Sequence, residues 1–294
     1  MKLKDKEQIA RIALWGIGEK YGYALGGSLA RLTHGLADRE PNDIDLFSKM
    51  GDQLPSAQTP YTTATHAKAE ASNALQEAGY QVRDTGGSLA QFGMEEMVVS
   101  HPRRPDDEVR IEFGVPPEGH SFQVTDPRGN GMRVISAGDL VRFRADDIIS
   151  QEADKEGLRT AMRVKAFADW EKIDSRLEPQ AIAYHLFSGQ LIDAEEFRSA
   201  LNGNRDISDR RFRSYGLSDR QVRRIRRELP EKVDSYVRSW QNLTQQGAGS
   251  EPRNAATPHY AAYPGQVRRD SSQAAGPAIN RRSEIPSQNN SRRL

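Results

Sequence analysis

Tyr23-Ala24-Leu25-Gly26-Gly27-Ser28, followed after a polar spacer by Asn42-Asp43-Ile44-Asp45-Leu46-Phe47, is the stretch on which the reading of the fold turns. Tyr23–Leu25 reads as a short apolar strand that stops at the glycine pair. Ser28 is expected to cap a short helix running to Leu32, with Gly35 ending it. Beyond the loop 37–42, residues 44–47 read as a second strand. Asp43 and Asp45 stand two apart, so on a strand both carboxylates leave the same face while Ile44 enters the core. Two acids on the wet face of one strand are common and mean little alone. The preceding glycine pair and serine raise the pattern above that. Glycines let the backbone approach a ligand closely, and the Ser28 hydroxyl and the helix start offer donors to phosphate oxygens.

The elements around this stretch alternate in type. Ile9, Ile12, Ala13 and Ile17 recur at helical spacing, and residues 67–78 form a second helix closed by Gly79. Strands are expected at 80–82, 97–99 and 109–115, with Arg83 and Asp84 beginning the turn to Gly86-Gly87. Pro102, Pro105 and two aspartates argue for a hairpin connection between the last two strands. The second Gly-Gly-Ser, residues 86–88, has no acid triplet behind it and reads as a hairpin turn. Glu112 lies within Val109-Arg110-Ile111-Glu112-Phe113. A carboxylate beside a core is costly unless something uses it, whether Arg110 or Arg133 across the sheet or a ligand. Asp43, Asp45 and Glu112 could converge on a divalent ion. Mg²⁺ prefers oxygen ligands shared between carboxylates and substrate phosphates, and a pair of ions ~4 Å apart suits in-line phosphoryl displacement.

From Ser136 to about Trp240 the pattern turns helical. A run after Ser136 includes Leu140, Phe143 and Ile148, and a helix over 158–173 places Met162, Ala166, Phe167 and Trp170 on one stripe. Shorter helices cover 181–187 and 194–201. Ser218 and Gln221 fit a capping box ahead of Val222, Ile225, Leu229, Val233, Val237 and Trp240, with Pro230 kinking or restarting that helix. Eight arginines fall between Arg210 and Arg227, and those in the Ser218 helix lie off its apolar face. The stripe suits a phosphate backbone; the competing reading is a solubilising face balanced by Asp206, Asp209, Asp219, Glu228 and Glu231.

Beyond Gln245 aliphatic residues nearly vanish in favour of Gln, Ser, Asn, Pro, Gly, Ala and paired arginines, a composition expected to stay disordered. The chain is thus read as an α+β domain over 1–135, with a mixed sheet and flanking helices, then a helical domain over 136–244 and a disordered tail over 245–294. Lysine and arginine number 42 against 41 acidic residues, so any attraction to nucleic acid must be local. The absence of cysteine excludes disulfides, thiol nucleophiles and Cys-ligated zinc or iron–sulfur chemistry. With no apolar leader and no run long enough to span a bilayer, the chain is expected to be cytoplasmic and not membrane-bound.

The run Tyr23-Ala-Leu-Gly-Gly-Ser, His34-Gly35-Leu36, Arg39 and Asn42-Asp-Ile-Asp-Leu-Phe47 resembles the AbiEii/AbiGii-type toxins of the polymerase β nucleotidyltransferase superfamily. The likeness is closest over 21–48 and extends more loosely to about 175. It implies a minimal nucleotidyltransferase fold, with Asp43, Asp45 and Glu112 as metal-binding catalytic acids. It further implies that Gly26, Gly27 and Ser28 hold a triphosphate and that Arg39 and Lys165 meet the nucleotide. The implied activity is Mg²⁺-dependent transfer of a nucleoside monophosphate from an NTP to a macromolecule such as tRNA, by the toxin of a toxin–antitoxin or phage-defence pair with its own antitoxin protein. The chain departs from that pattern after Asp139-Leu140, where Arg142 and Arg144 stand in place of a lysine, and its next helix keeps only Arg163, Lys165 and Asp169 of a basic–acidic cluster. Two other readings remain open. One is an enzyme modifying a small molecule such as an aminoglycoside; the other is a degenerate member that binds nucleotide or a partner without turnover.

Overall fold

Alternation of apolar and polar residues along Asp43–Ser48 makes this segment, β2, a strand with one dry and one wet face. It sits inside a seven-stranded mixed sheet ordered β3-β4-β5-β2-β1-β7-β6. β1 (Tyr23–Leu25) runs antiparallel on one side of β2, and β5 (Arg104–Gly114) runs parallel on the other. β3 (Gln81–Asp84) and β4 (Glu95–His101) extend the sheet beyond β5 as antiparallel partners. β7 (Val134–Ile135) pairs parallel to β1, and β6 (Val124–Thr125) closes that edge. The computed structural model describes residues 1–49, 60–85, 94–114, 121–153, 160–189 and 192–245, all within one structural unit. The expected α+β class with a mixed sheet is observed. The hairpin expected at Gly86-Gly87-Ser88 and nearly all of the expected disordered tail lie outside the described residues.

The dry face of the sheet is covered by α1 (Leu3–Lys20) and α3 (Pro60–Glu77), whose Ile9, Ala13, Ile17, Ala67, Ala71 and Leu75 pack with Ile44, Leu46, Ile111 and Phe113. A second core is helical and gathers Val141, Ile148, Phe167, Trp170, Phe197, Phe212, Ile225, Val233 and Tyr236. It is built by α4 (Ala137–Ala153), α5 (Thr160–Arg176), α6 (Pro179–Phe187), α7 (Ala194–Asn202), α8 (Asp209–Ser214), α9 (Asp219–Arg223) and α10 (Leu229–Gln245). Among the described residues no helix is long and apolar enough to cross a membrane.

Several local expectations need correction. Arg83 and Asp84 do not begin a turn but complete β3, pairing with Val98 and Met97 of β4. Ser28 is not a helix cap. α2 spans Gly27–Thr33, with Gly26 at the capping position and Ser28 already inside the first turn. Met162 is not part of the buried stripe of α5; it is 47% exposed. The capping box of Ser218 and Gln221 is present at the start of α9. Between α9 and α10 the chain forms one wide π turn over Arg224–Glu228, immediately before Pro230. Pro230 has no N–H to give and its ring crowds the preceding turn, which accounts for the local widening at the point where a kink or restart was expected.

Candidate active site

The wet face of β2 is a row of acids. Asp43 and Asp45 point from it, and the parallel register sets Glu112 of β5 opposite Asp45. One strand further, Glu96 of β4 stands opposite Glu112. The sequence reading missed Glu96, because it expected the strand to begin at Met97 whereas β4 begins at Glu95. Opposing cations are sparse: Arg110 approaches Glu112 and Glu96 at 3.7 Å each. Burial, followed by the charge of Asp43, pushes Asp45 above the usual carboxylate range, with Lys165 and Arg31 pulling the other way. Burial and then the charges of Asp45 and Asp43 push Glu112 up to about 7.

The proton taken up by Glu112 has a measurable consequence. Because its folded pKa of about 7 lies above the ordinary 4.5, folding favours the protonated form. That stabilisation is present below pH 4.5 and is lost as the pH rises through about 7. At ~1.4 kcal/mol per pKa unit the loss is on the order of 3 kcal/mol. Glu112→Gln, unfolded with urea in EDTA, should therefore match the wild type near pH 4.5 and exceed it in stability at pH 8. Equal stabilities at both pH values would refute the burial and charge crowding that raise Glu112.

Gly26 and Gly27 shape this face from above. The Gly26 N–H donates to the Asp45 carbonyl at 2.8 Å, and a Cβ at Gly26 would run into the Phe47 ring. Gly27 has φ +58°, the left-handed region, and a Cβ there would fall on the Asp45 carboxylate. The pair is thus required by contact with β2 itself. The Ser28 N–H donates to the Asp45 carboxylate, and the Ser28 hydroxyl accepts from Arg31 at 3.1 Å.

Arg31 is the second residue that the sequence reading passed over. Its side chain is 5% exposed and donates to Asp169 of α5 at 2.9 Å, while Arg144 of α4, at 8%, reaches the same carboxylate oxygen at 3.0 Å. Asp169 therefore ties α2, α4 and α5 together beside the acid strand. The other basic positions of the helical part have separate tasks. Arg142 donates to the Ser121 carbonyl at 2.6 Å and to Asp139 at 2.7 Å. Arg163 faces away from the acids and binds Glu152, Asp206 and the Gly203 carbonyl. His34 stands at the C-terminal cap of α2, its Nε2 bonds the distant Ile135 carbonyl at 2.9 Å, and burial lowers its pKa.

A cleft of about 530 Å³ opens beside the acids. Ser28, Asp43, Arg39 and Asn42 line one part of its wall, and Ala161, Met162, Lys165, Asp169 and Tyr215 come from the helical part. Positions 162, 165 and 169 share one face of α5, and this is why Met162 stays wet while Ala166, Phe167 and Trp170 are buried. Of the eight residues singled out from the sequence, Asp43, Ser28, Arg39 and Lys165 line the cleft itself. Asp45 and Glu112 adjoin Asp43 on the same sheet face, and Gly26 and Gly27 support that face.

Of the eight arginines between Arg210 and Arg227, Arg224 is drawn into Glu171 and Asp174, and Arg226 into Asp209 and the Ile207 and Asn204 carbonyls. Arg213 pairs with Asp219 at 2.7 Å. Arg210, Arg211, Arg220, Arg223 and Arg227 are exposed.

No family model and no curated protein matches the chain. Among solved structures, the fold is similar to that of JHP933 from Helicobacter pylori, with 13% identity, TM-score 0.47, and 83% of this chain and 95% of that one covered. It is also similar to a protein of H. pylori provisionally assigned as a nucleotidyltransferase, with 15% identity, TM-score 0.42, and 82% and 96% covered. Likeness at that level carries nothing about activity or substrate.

Proposed function

We propose that the cleft binds a nucleoside triphosphate and that the neighbouring acids serve transfer of its nucleoside monophosphate to an acceptor hydroxyl. The observation that carries this reading is the placement of Asp43, Asp45 and Glu112 on one sheet face beside a cleft presenting Ser28, Arg39 and Lys165. Acids for a cation and cations for a phosphate chain occur together there.

The donor set is all carboxylate oxygen, which suits Mg²⁺, and burial together with the neighbouring acids raises the pKa values of Asp45 and Glu112, a crowding of charge that a cation relieves. Among the described residues no three His, Asp or Glu side chains are grouped as a finished metal site. Asp43, Asp45 and Glu112 would hold one or two Mg²⁺ ions together with triphosphate oxygens, the sharing this ion favours. Bound there, Mg²⁺ would supply charge neutralisation for the transferring phosphate. The chain's own contribution is positioning: Ser28 and Lys165 hold phosphate oxygens, and Arg39 meets the nucleotide beside them, so that the acceptor hydroxyl faces the α-phosphorus. The hydroxyl oxygen bonds to that phosphorus, the bond to the β-bridging oxygen breaks and pyrophosphate leaves. Glu112, opposite Asp45 on the same sheet face, can accept the hydroxyl proton.

A macromolecular acceptor, tRNA in the first instance, is favoured by the exposed Arg210, Arg211, Arg220, Arg223 and Arg227. The role of toxin, held in check by an antitoxin in a phage-defence or toxin–antitoxin pair, rests on the sequence resemblance alone. One observation favours a second reading, nucleotide binding without turnover: Arg142 and Arg144, the basic residues after Asp139, are spent on Asp139, Ser121 and Asp169. The test is incubation of the purified chain with Mg²⁺ and each α-labelled NTP, in the presence of total tRNA or an aminoglycoside. Label in tRNA is expected. Label only on the drug selects a small-molecule acceptor, and no label with any NTP overturns nucleotidyl transfer.

A further inference from the structure

We infer that Tyr215 and Arg39 form the stacking platform for the nucleobase, so that the helical part of the chain supplies the ring that holds and orients the base. This inference rests on the nucleotide-binding reading and adds a subsite to it. The Arg39 guanidinium lies 4.4 Å from the centroid of the Tyr215 ring, and both side chains line the cleft. A guanidinium stacked on a phenol presents a flat, polarisable surface, to which a purine or pyrimidine face is complementary irrespective of its hydrogen-bonding edge.

The local backbone explains why Tyr215 is available. It ends α8, its N–H closing back on the Phe212 carbonyl, and Gly216 follows at φ +91°. That left-handed glycine terminates the helix sharply, and Tyr215 remains half-buried against the helical core. Arg39, in contrast, belongs to the loop that enters β2 four residues before Asp43. The platform is therefore tied at one end to the helical core and at the other to the acid strand. Met162 and Ala161, exposed in the same cleft, extend the apolar surface beside it. An exposed methionine on a charged helix face is adaptable packing for a flat ligand. The cationic Lys165 and the Ser28 hydroxyl line the same cleft and suit phosphates, so one ligand with a flat apolar end and an anionic end accounts for both sets of groups.

The test separates the base from the phosphates. Affinity is measured for the triphosphate of 2-aminopurine riboside, whose fluorescence is quenched on stacking, and for inorganic tripolyphosphate, both with Mg²⁺. Tyr215→Ala is expected to weaken the nucleoside triphosphate about 5- to 100-fold and abolish the quench, while tripolyphosphate binds as to the wild type. Tyr215→Phe, which keeps the ring, is expected to restore both affinity and quench. Circular dichroism and thermal melting establish that each variant is folded. If Tyr215→Ala binds the nucleotide and quenches it like the wild type, or loses tripolyphosphate equally, the platform is refuted while nucleotide binding stands. If the wild type binds neither probe, the nucleotide reading itself fails.

Discussion

Asp45→Asn is expected to reduce nucleotidyl transfer on the order of 10³-fold or more and to leave the protein at least as stable as the wild type. Stabilisation of transition-state charge through a carboxylate-held ion is worth several kcal/mol, and each ~1.4 kcal/mol is a factor of ten in rate. Stability moves in the other direction for a reason visible in the site. Burial and Asp43 raise the pKa of Asp45, so the folded state disfavours its charge and ionising it costs stability as the pH rises. Asparagine keeps an oxygen for the Ser28 N–H and the shape of the side chain while removing the charge. A carboxylate with a purely structural task would behave differently, since its loss would lower stability and leave rate per folded molecule unchanged. Label transfer by the variant within tenfold of the wild type, with unfolding by urea as the control, would sink the catalytic assignment.

The second large effect concerns Asp169. Removing this carboxylate as Asp169→Ala leaves Arg31 and Arg144, both nearly buried, facing one another without their shared counter-charge. Burial and the Arg144 guanidinium already lower the pKa of Arg31. Breaking a buried pair by deleting one partner costs about 3–5 kcal/mol, chiefly through the charge left uncompensated. Ser28 and Asp147 keep one direct contact on each arginine, and Asp45 acts on Arg31 through its charge. Asp169→Asn, which keeps two hydrogen-bond sites but no charge, should fall between alanine and wild type in urea unfolding. A loss below about 1 kcal/mol for Asp169→Ala would place the cluster among weak surface pairs. Transfer activity is expected to fall with Asp169→Ala beyond what the unfolded fraction explains, because Arg31 holds the Ser28 hydroxyl.

What could be read from the sequence was local. β1, the glycine pair and β2 are contiguous signals: a short apolar run, a break, and acids at a period of two. The helices over the dry face were legible from Ile9, Ala13 and Ile17. The misses are of another kind. β6 and β7 have two residues each, too few for any periodicity, and β7 exists because it docks beside β1. Glu96 was lost because β4 begins two residues before the expected strand. Arg31 reaches Asp169 across 138 residues, and Tyr215 meets Arg39 across 176. No spacing rule contains such juxtapositions. Met162 was misassigned because a stripe of helical period cannot say which of two adjacent faces is dry. In the basic stripe, composition could not distinguish Arg224 and Arg226, which staple the bundle, from the arginines that remain exposed.

The close approach of Gly27 to Asp45 imposes an order on how this site can change. While the carboxylate is in place, position 27 cannot gain a methyl group without displacing it, and the backbone there resists any L side chain. Once Asp45 is shortened, much of that steric barrier is gone and only the backbone preference remains. Drift at the glycine is therefore permitted after the acid is lost and obstructed before it. The two positions form a one-way gate, and a chain that still carries the glycine beside the aspartate has not passed through it.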